Sequence, residues 1–107
     1  MTIIKKINAS GNPLISIEFF PPKNAGAQAA FEKSAGELTA LKPDFVSVTC
    51  GAGGSAAGPT LTVAQQLAAG GYEMVMPHCT CVGMSRSDLE RSSDEIIAGG
   101  FNHIMAL

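Results

Sequence analysis

Strand-like and helix-like patterns alternate along this chain from residue 15 to its last residue, and few folds accept that alternation. Ile15 to Phe20 interleaves apolar and polar residues with period two, as a half-buried strand does. Ala29 to Leu41 carries Phe31, Ala35, Leu38 and Leu41 at helical spacing, and Pro43 blocks continuation. Phe45 to Cys50 is a second strand. Leu61 to Ala69 predicts a helix with Leu61, Ala64, Leu67 and Ala68 on one face, closed by Gly70-Gly71. Met74 to Cys81 is a third strand. Ser85, with Asp88 three residues on, opens a third helix that buries Leu89, Ser93, Ile96 and Ile97 and stops at Gly99-Gly100. A fourth strand begins within His103 to Leu107. Strands separated by single helices predict an α/β fold with parallel pairing, the sheet covered by its helices. Two architectures satisfy this order: an open doubly wound sheet, or part of a (β/α)8 TIM barrel, which takes about 250 residues when complete.

With 107 residues the chain forms one domain, residues 1–107, able to bury a real core. Apolar residues make up 46% and charged residues 15%, so the chain is globular rather than disordered. Its net charge of −2 offers no basic stripe, which argues against nucleic acid as a partner. No apolar run reaches the roughly 20 residues of a membrane span, and the first residues carry no signal-peptide pattern. Three cysteines, Cys50, Cys79 and Cys81, are an odd number without a CxxC pair, which fits reduced thiols in a cytoplasmic protein.

Alternate side chains on a strand point to opposite faces. Ser16, Glu18 and Phe20 therefore share one face of the first strand, Ser47 and Thr49 one face of the second, and Met76, His78 and Thr80 one face of the third. Each strand thus carries a polar residue near its C-terminal end: Glu18, Thr49 and His78. In both architectures ligands bind at that edge of the sheet. A lone glutamate at a strand end is usually a solvated charge. Here the flanking Phe19, Phe20, Pro21 and Pro22 predict a desolvated carboxyl, the setting of a general acid. Cys79 and Cys81 fall on the face opposite His78, so one strand cannot offer all three to a metal, and none is expected. His103 stands at the wrong end of its strand for a site and reads as structural.

Gly51-Ala52-Gly53-Gly54-Ser55-Ala56 fits G-x-G-x-x-A, with Glu73 about twenty residues on, as in a dinucleotide fingerprint. Against this, Gly58-Pro59 delays the helix to about Leu61, and Glu73 precedes its strand instead of ending it. The segment reads better as a loop at the ligand-facing edge.

Taken together, Ile15-Ser16-Ile17-Glu18-Phe19-Phe20-Pro21-Pro22-Lys23, Lys42-Pro43-Asp44-Phe45-Val46-Ser47-Val48-Thr49, Gly51-Ala52-Gly53-Gly54-Ser55, Pro77-His78-Cys79-Thr80-Cys81 and His103-Ile104-Met105-Ala106-Leu107 resemble the methylenetetrahydrofolate reductase family. The resemblance implies a cytoplasmic, FAD-dependent barrel oxidoreductase of one-carbon and methionine metabolism. It implies reduction of 5,10-methylenetetrahydrofolate to 5-methyltetrahydrofolate, with NADH or NADPH as reductant. It makes Glu18 the catalytic proton donor and places Thr49, Cys50, Ala52 and His78 at the cofactor. Cys50 stands where an aromatic residue, typically tyrosine, is usual. The folate is then the small-molecule partner, and a homo-oligomer is expected. The family continues from a segment like Ala106-Leu107 into an Arg-Gly-Asp motif, so the chain reads as the N-terminal half of such a barrel. Two other readings stand beside it: a non-catalytic half-barrel that self-associates through open strand edges, and a Rossmann-like dinucleotide-binding module.

Overall fold

The computed structural model describes residues 2–50 and 58–107. Helix α1 spans Ile3–Ala9, strand β1 Ser16–Phe19, helix α2 Ala25–Leu38, strand β2 Phe45–Val48, helix α3 Pro59–Ala69, strand β3 Val75–Cys79, helix α4 Arg86–Ala98 and strand β4 Met105–Ala106. A short 3₁₀ turn, Thr39–Leu41, extends α2. The strands form one parallel sheet in chain order, β1-β2-β3-β4.

One core explains the arrangement. Phe19, Val46, Val48, Val75 and Cys79, from one face of the sheet, join Val63, Ala64 and Leu67 of α3 and Ile96 of α4 in a single buried cluster. Phe31, Ala35 and Leu38 of α2 and Leu89 of α4 pack against it. All three crossover helices therefore cover the same face. That, with sequential strand order, is a partial (β/α)8 barrel and excludes the doubly wound sheet, whose helices lie on both faces.

Helix ends are set by local chemistry. Asn24 caps α2 by accepting from the Ala27 amide. Ser85 and Asp88 form the expected capping box on α4. α3 and α4 end alike. After α3 the Gly71 amide donates to Ala68 and the Tyr72 amide to Leu67; after α4 the Gly100 amide donates to Ile97 and the Phe101 amide to Ile96. Each is a Schellman motif, with Gly71 at φ 103° and Gly100 at φ 92°, a region closed to most side chains. Each delivers a buried aromatic, Tyr72 or Phe101, into the core just before the next strand. Tyr72 stacks edge-on against Phe19 and donates its hydroxyl to the Ala35 carbonyl of α2 at 2.6 Å.

Several sequence expectations shift. α2 starts at Ala25, because Asn24 supplies a cap upstream of the apolar periodicity. Leu41, Ala68 and Ile97 are exposed, whereas Val63 and Ser92 are buried; the helices sit about one position round from the face first expected. Helix α1 is unanticipated, since seven residues with no buried side chain leave no periodic signal. Thr2 caps it, and its Ile3 amide donates to His103 Nε2 at 3.3 Å. Lys6 reaches the Asp44 carboxylate at 3.6 Å, and Asp44 also accepts from the Ile15 amide at 2.8 Å. α1 is thereby tied to the N-terminal ends of β2 and β4, and the structural reading of His103 gains a specific bond.

Pro77 lies in the middle of β3, fully buried. Backbone groups on a parallel strand alternate sides. Met74 accepts from β2 and Cys79 accepts from Leu107, so Pro77 faces β4. Pairing with β4 starts only at His78 opposite Met105, one residue beyond. The missing proline N–H therefore costs no ladder bond.

Candidate active site

Glu18 and Ser47 are direct cross-strand partners, and β3 lies on the other side of Ser47. All three polar side chains, Glu18, Ser47 and His78, occupy the face of the sheet that the helices leave free. The Ser47 hydroxyl donates to Glu18 Oε2 at 3.3 Å, and His78 Nε2 lies 3.4 Å from the same oxygen. Burial is uneven. His78 is 8% exposed in its side chain, Ser47 is 6% exposed, and Glu18 is half open at 50%. β3 buries His78 because every residue of that strand is buried between its neighbours. β1 lies at the edge of the sheet, so its glutamate keeps access to water.

Contrary to the expectation from the flanking Phe19, Phe20, Pro21 and Pro22, the carboxyl is not enclosed by rings. Phe19 turns into the helix-facing core, where it packs edge-on against Phe31, and Phe20 is 70% exposed. Strand alternation separates the two rings to opposite faces. What lies beside the carboxyl is an imidazole and a hydroxyl.

The distance between His78 Nε2 and Glu18 Oε2 is within ion-pair range, but the contact is not a hydrogen bond. His78 Nε2 is left buried with no hydrogen-bond partner. A buried polar atom without a partner is costly, and its place on the free face leaves it open to a bond from a bound polar group. The residues present are compatible with a cofactor that offers such a group.

Thr49 stands on the same face as Ser47, just past the end of β2. Its amide donates to Phe19, and its carbonyl accepts from the buried Thr60 hydroxyl at 2.9 Å. Thr60 thus anchors the C-terminal end of β2 to the first turn of α3. The hydroxyl that meets Glu18 is that of Ser47. The strand pattern puts Ser47 and Thr49 on one face and Thr49 nearer the strand end; only the register, Glu18 opposite Ser47, distinguishes them. Cys50 is partly buried after β2. Cys79 is buried in the core, as its strand position predicts. Burial pushes the Cys79 thiol up from its ordinary pKa, and the neighbouring Cys81 and Cys50 thiols add to that. Among the described residues no group of three or more His, Cys, Asp or Glu side chains is placed to hold a metal ion. Ala52 and the glycines around it lie outside the described residues. Glu73 precedes β3, at the opposite end of the sheet from Thr49, and lines a cleft with Lys42 and Gly71. It cannot serve as the acid of a dinucleotide fingerprint.

Sequential parallel β/α units with their helices on one face define a segment of a (β/α)8-type barrel, and an acid and an imidazole meet on its free face. The methylenetetrahydrofolate reductase family model matches residues 3–107. This chain belongs to that family. It is 33% identical over 105 residues to "Methylenetetrahydrofolate reductase (NADH) 1" of Arabidopsis thaliana, covering 97% of this chain and 18% of the relative. It is 33% identical over 93 residues to the "5,10-methylenetetrahydrofolate reductase" of Pectobacterium carotovorum subsp. carotovorum, covering 87% of this chain and 31% of the relative. The corresponding Buchnera aphidicola enzyme is 36% identical over 107 residues, covering 98% of this chain and 37% of the relative. The chain thus spans well under half the length of these relatives. No helix among the described residues is long and apolar enough to cross a membrane.

Proposed function

We propose that this chain supplies the proton-donating part of a reductase that converts 5,10-methylenetetrahydrofolate to 5-methyltetrahydrofolate. The observation that carries this reading is the Glu18 carboxyl, held 3.4 Å from the buried His78 imidazole and open to water on its other side. Family membership supports the reaction, and the meeting of Glu18 with His78 supports the role given to Glu18.

The methylene carbon of the substrate bridges two nitrogens in a five-membered ring. It is a poor hydride acceptor until one C–N bond breaks and leaves an iminium. Protonated Glu18 gives its proton to the leaving nitrogen, the C–N bond electrons stay on that nitrogen, and the ring opens. The iminium carbon then takes a hydride and becomes the methyl group. Glu18 recovers its proton from the solvent that reaches it on the free face of the sheet. His78, its Nε2 in want of a partner, and Thr49, fixed by its backbone bonds to Phe19 and Thr60, would hold FAD, together with Cys50 and Ala52. When bound, the flavin supplies the hydride, with NADH or NADPH as its source; the name of the plant relative specifies NADH.

The experiment separates the two half-reactions in the flavin-loaded holoenzyme. Glu18→Gln keeps the hydrogen-bonding shape but cannot donate a proton. It abolishes folate reduction while flavin reduction by the nicotinamide continues. Equal loss of both would move Glu18 to flavin binding or folding. His78→Ala weakens FAD retention, read by equilibrium dialysis against flavin; unchanged affinity would leave His78 a packing residue. A chain carrying three cysteines, one buried as a thiol, suits a reducing cytoplasm, where we place the protein.

A further inference from the structure

We propose that Ser47 is a positioning residue that fixes which oxygen of Glu18 transfers the proton. The inference rests on the proton-donor reading of Glu18 and deepens it.

Ser47 is the odd member of β2. Its neighbours Phe45, Val46 and Val48 are apolar, and valine would suit the strand and the packing better than serine. A hydroxyl buried to 6% exposure costs free energy unless it is bonded. Its bond goes to Glu18 Oε2, directly across the strand pair. Glu18 needs such a hold. Its side chain is half exposed, with three torsions able to sweep the carboxyl through solvent. His78 lies against the same oxygen, 3.4 Å away. Both contacts fall on Oε2, so Oε1 is the oxygen assigned to proton transfer. At 3.3 Å the serine bond is long for O–H···O, as hydrogen bonds in catalytic sites often are before substrate binds.

The test uses the flavin-loaded holoenzyme and three variants. Ser47→Ala removes the donor with little change in volume. Folate reduction slows roughly ten- to hundredfold, the cost of a misplaced catalytic group, while flavin reduction by the nicotinamide is unchanged. The loss falls on kcat for folate reduction, with KM for the folate little changed, as for a misplaced proton donor. A merely structural serine would slow both half-reactions alike. A wild-type folate rate in Ser47→Ala overturns the proposal, as does equal slowing of both half-reactions with a lowered melting temperature. Glu18→Gln is measured alongside. If it abolishes folate reduction while Ser47→Ala behaves as wild type, the positioning role alone fails; if folate reduction survives it, the proton-donor reading fails. Should Ser47→Ala not fold, Ser47→Cys keeps the size with a weaker donor, and the same selective slowing of folate reduction is expected. An unchanged folate rate in that variant overturns the proposal.

Discussion

At the scale of single residues, two polar side chains each fasten one element to another. The Tyr72 hydroxyl bonds the Ala35 carbonyl of α2 at 2.6 Å, and Tyr72→Phe removes that bond. A loss of about 1 kcal/mol in denaturant unfolding is expected. Thr60, 1% exposed, bonds the Thr49 carbonyl, and Thr60→Val incurs a comparable cost while loosening the end of β2. Burial raises the Cys79 thiol above the ordinary range. The native state thus favours the protonated thiol. Its contribution is fully present below the unfolded thiol's value, about 8.5, and is lost as pH rises through the higher folded value. Unfolding midpoints should therefore fall on the alkaline side, and the fall between pH 8 and pH 10 should shrink in Cys79→Ala. A fall of equal size in both proteins would show that the titration lies elsewhere. The candidate site was only partly legible at this scale. Glu18 and His78 stand out as polar residues ending strands. Ser47 does not, because its partner lies twenty-nine positions away and is known only from register.

Among elements, the repeated helix exit is the clearest device. The glycine-glycine pairs mark the ends of α3 and α4 in the sequence, and the structure adds the aromatic that each turn inserts. At Gly100, an added Cβ would meet nothing within 4 Å, so only the positive φ opposes a side chain. Gly100→Ala should cost about 1 kcal/mol, read as a shift in the denaturation midpoint. An unshifted midpoint would mean that the turn readjusts without strain. At the opposite end of a helix, Ser85→Ala removes the α4 cap and costs about 1 kcal/mol. The hydrogen bonds from Ser85, and secondarily the Arg91 guanidinium, hold the Asp88 carboxyl below its usual range. Asp88 stabilises the native state above its unfolded value, and that contribution fades as pH falls through the lower folded value. Helix α1 is tied down differently. His103→Ala removes the acceptor for its Ile3 amide, and faster hydrogen exchange confined to residues 3–9 is the expected outcome.

In the whole molecule, the sheet is covered on one face and carries its polar residues on the other. The outer edges of β1 and β4 have no strand partner among the described residues. Exposed parallel edges expose a row of unpaired backbone groups. We expect the purified 107-residue chain to self-associate, and size-exclusion chromatography with light scattering will show it; a stable monomer across concentrations would contradict this. Such association would also be the simplest form of the expected homo-oligomer.

The alternation of strand and helix, the parallel sheet and the face each strand turns inward were all legible in the sequence, because period-two and helical patterns are local properties of the chain. The capping box on α4 and the glycine stops were legible for the same reason. Four things depended on tertiary structure. Choosing a barrel segment over a doubly wound sheet required seeing all three crossover helices on one face. Helix α1 is held by two distant residues, Asp44 and His103, and not by any pattern of its own. Exposure at Glu18 follows from β1 lying at an edge, which no run of neighbouring residues records. And the bond from Ser47 follows from register, which is fixed when separate strands pack and cannot be read from either strand alone.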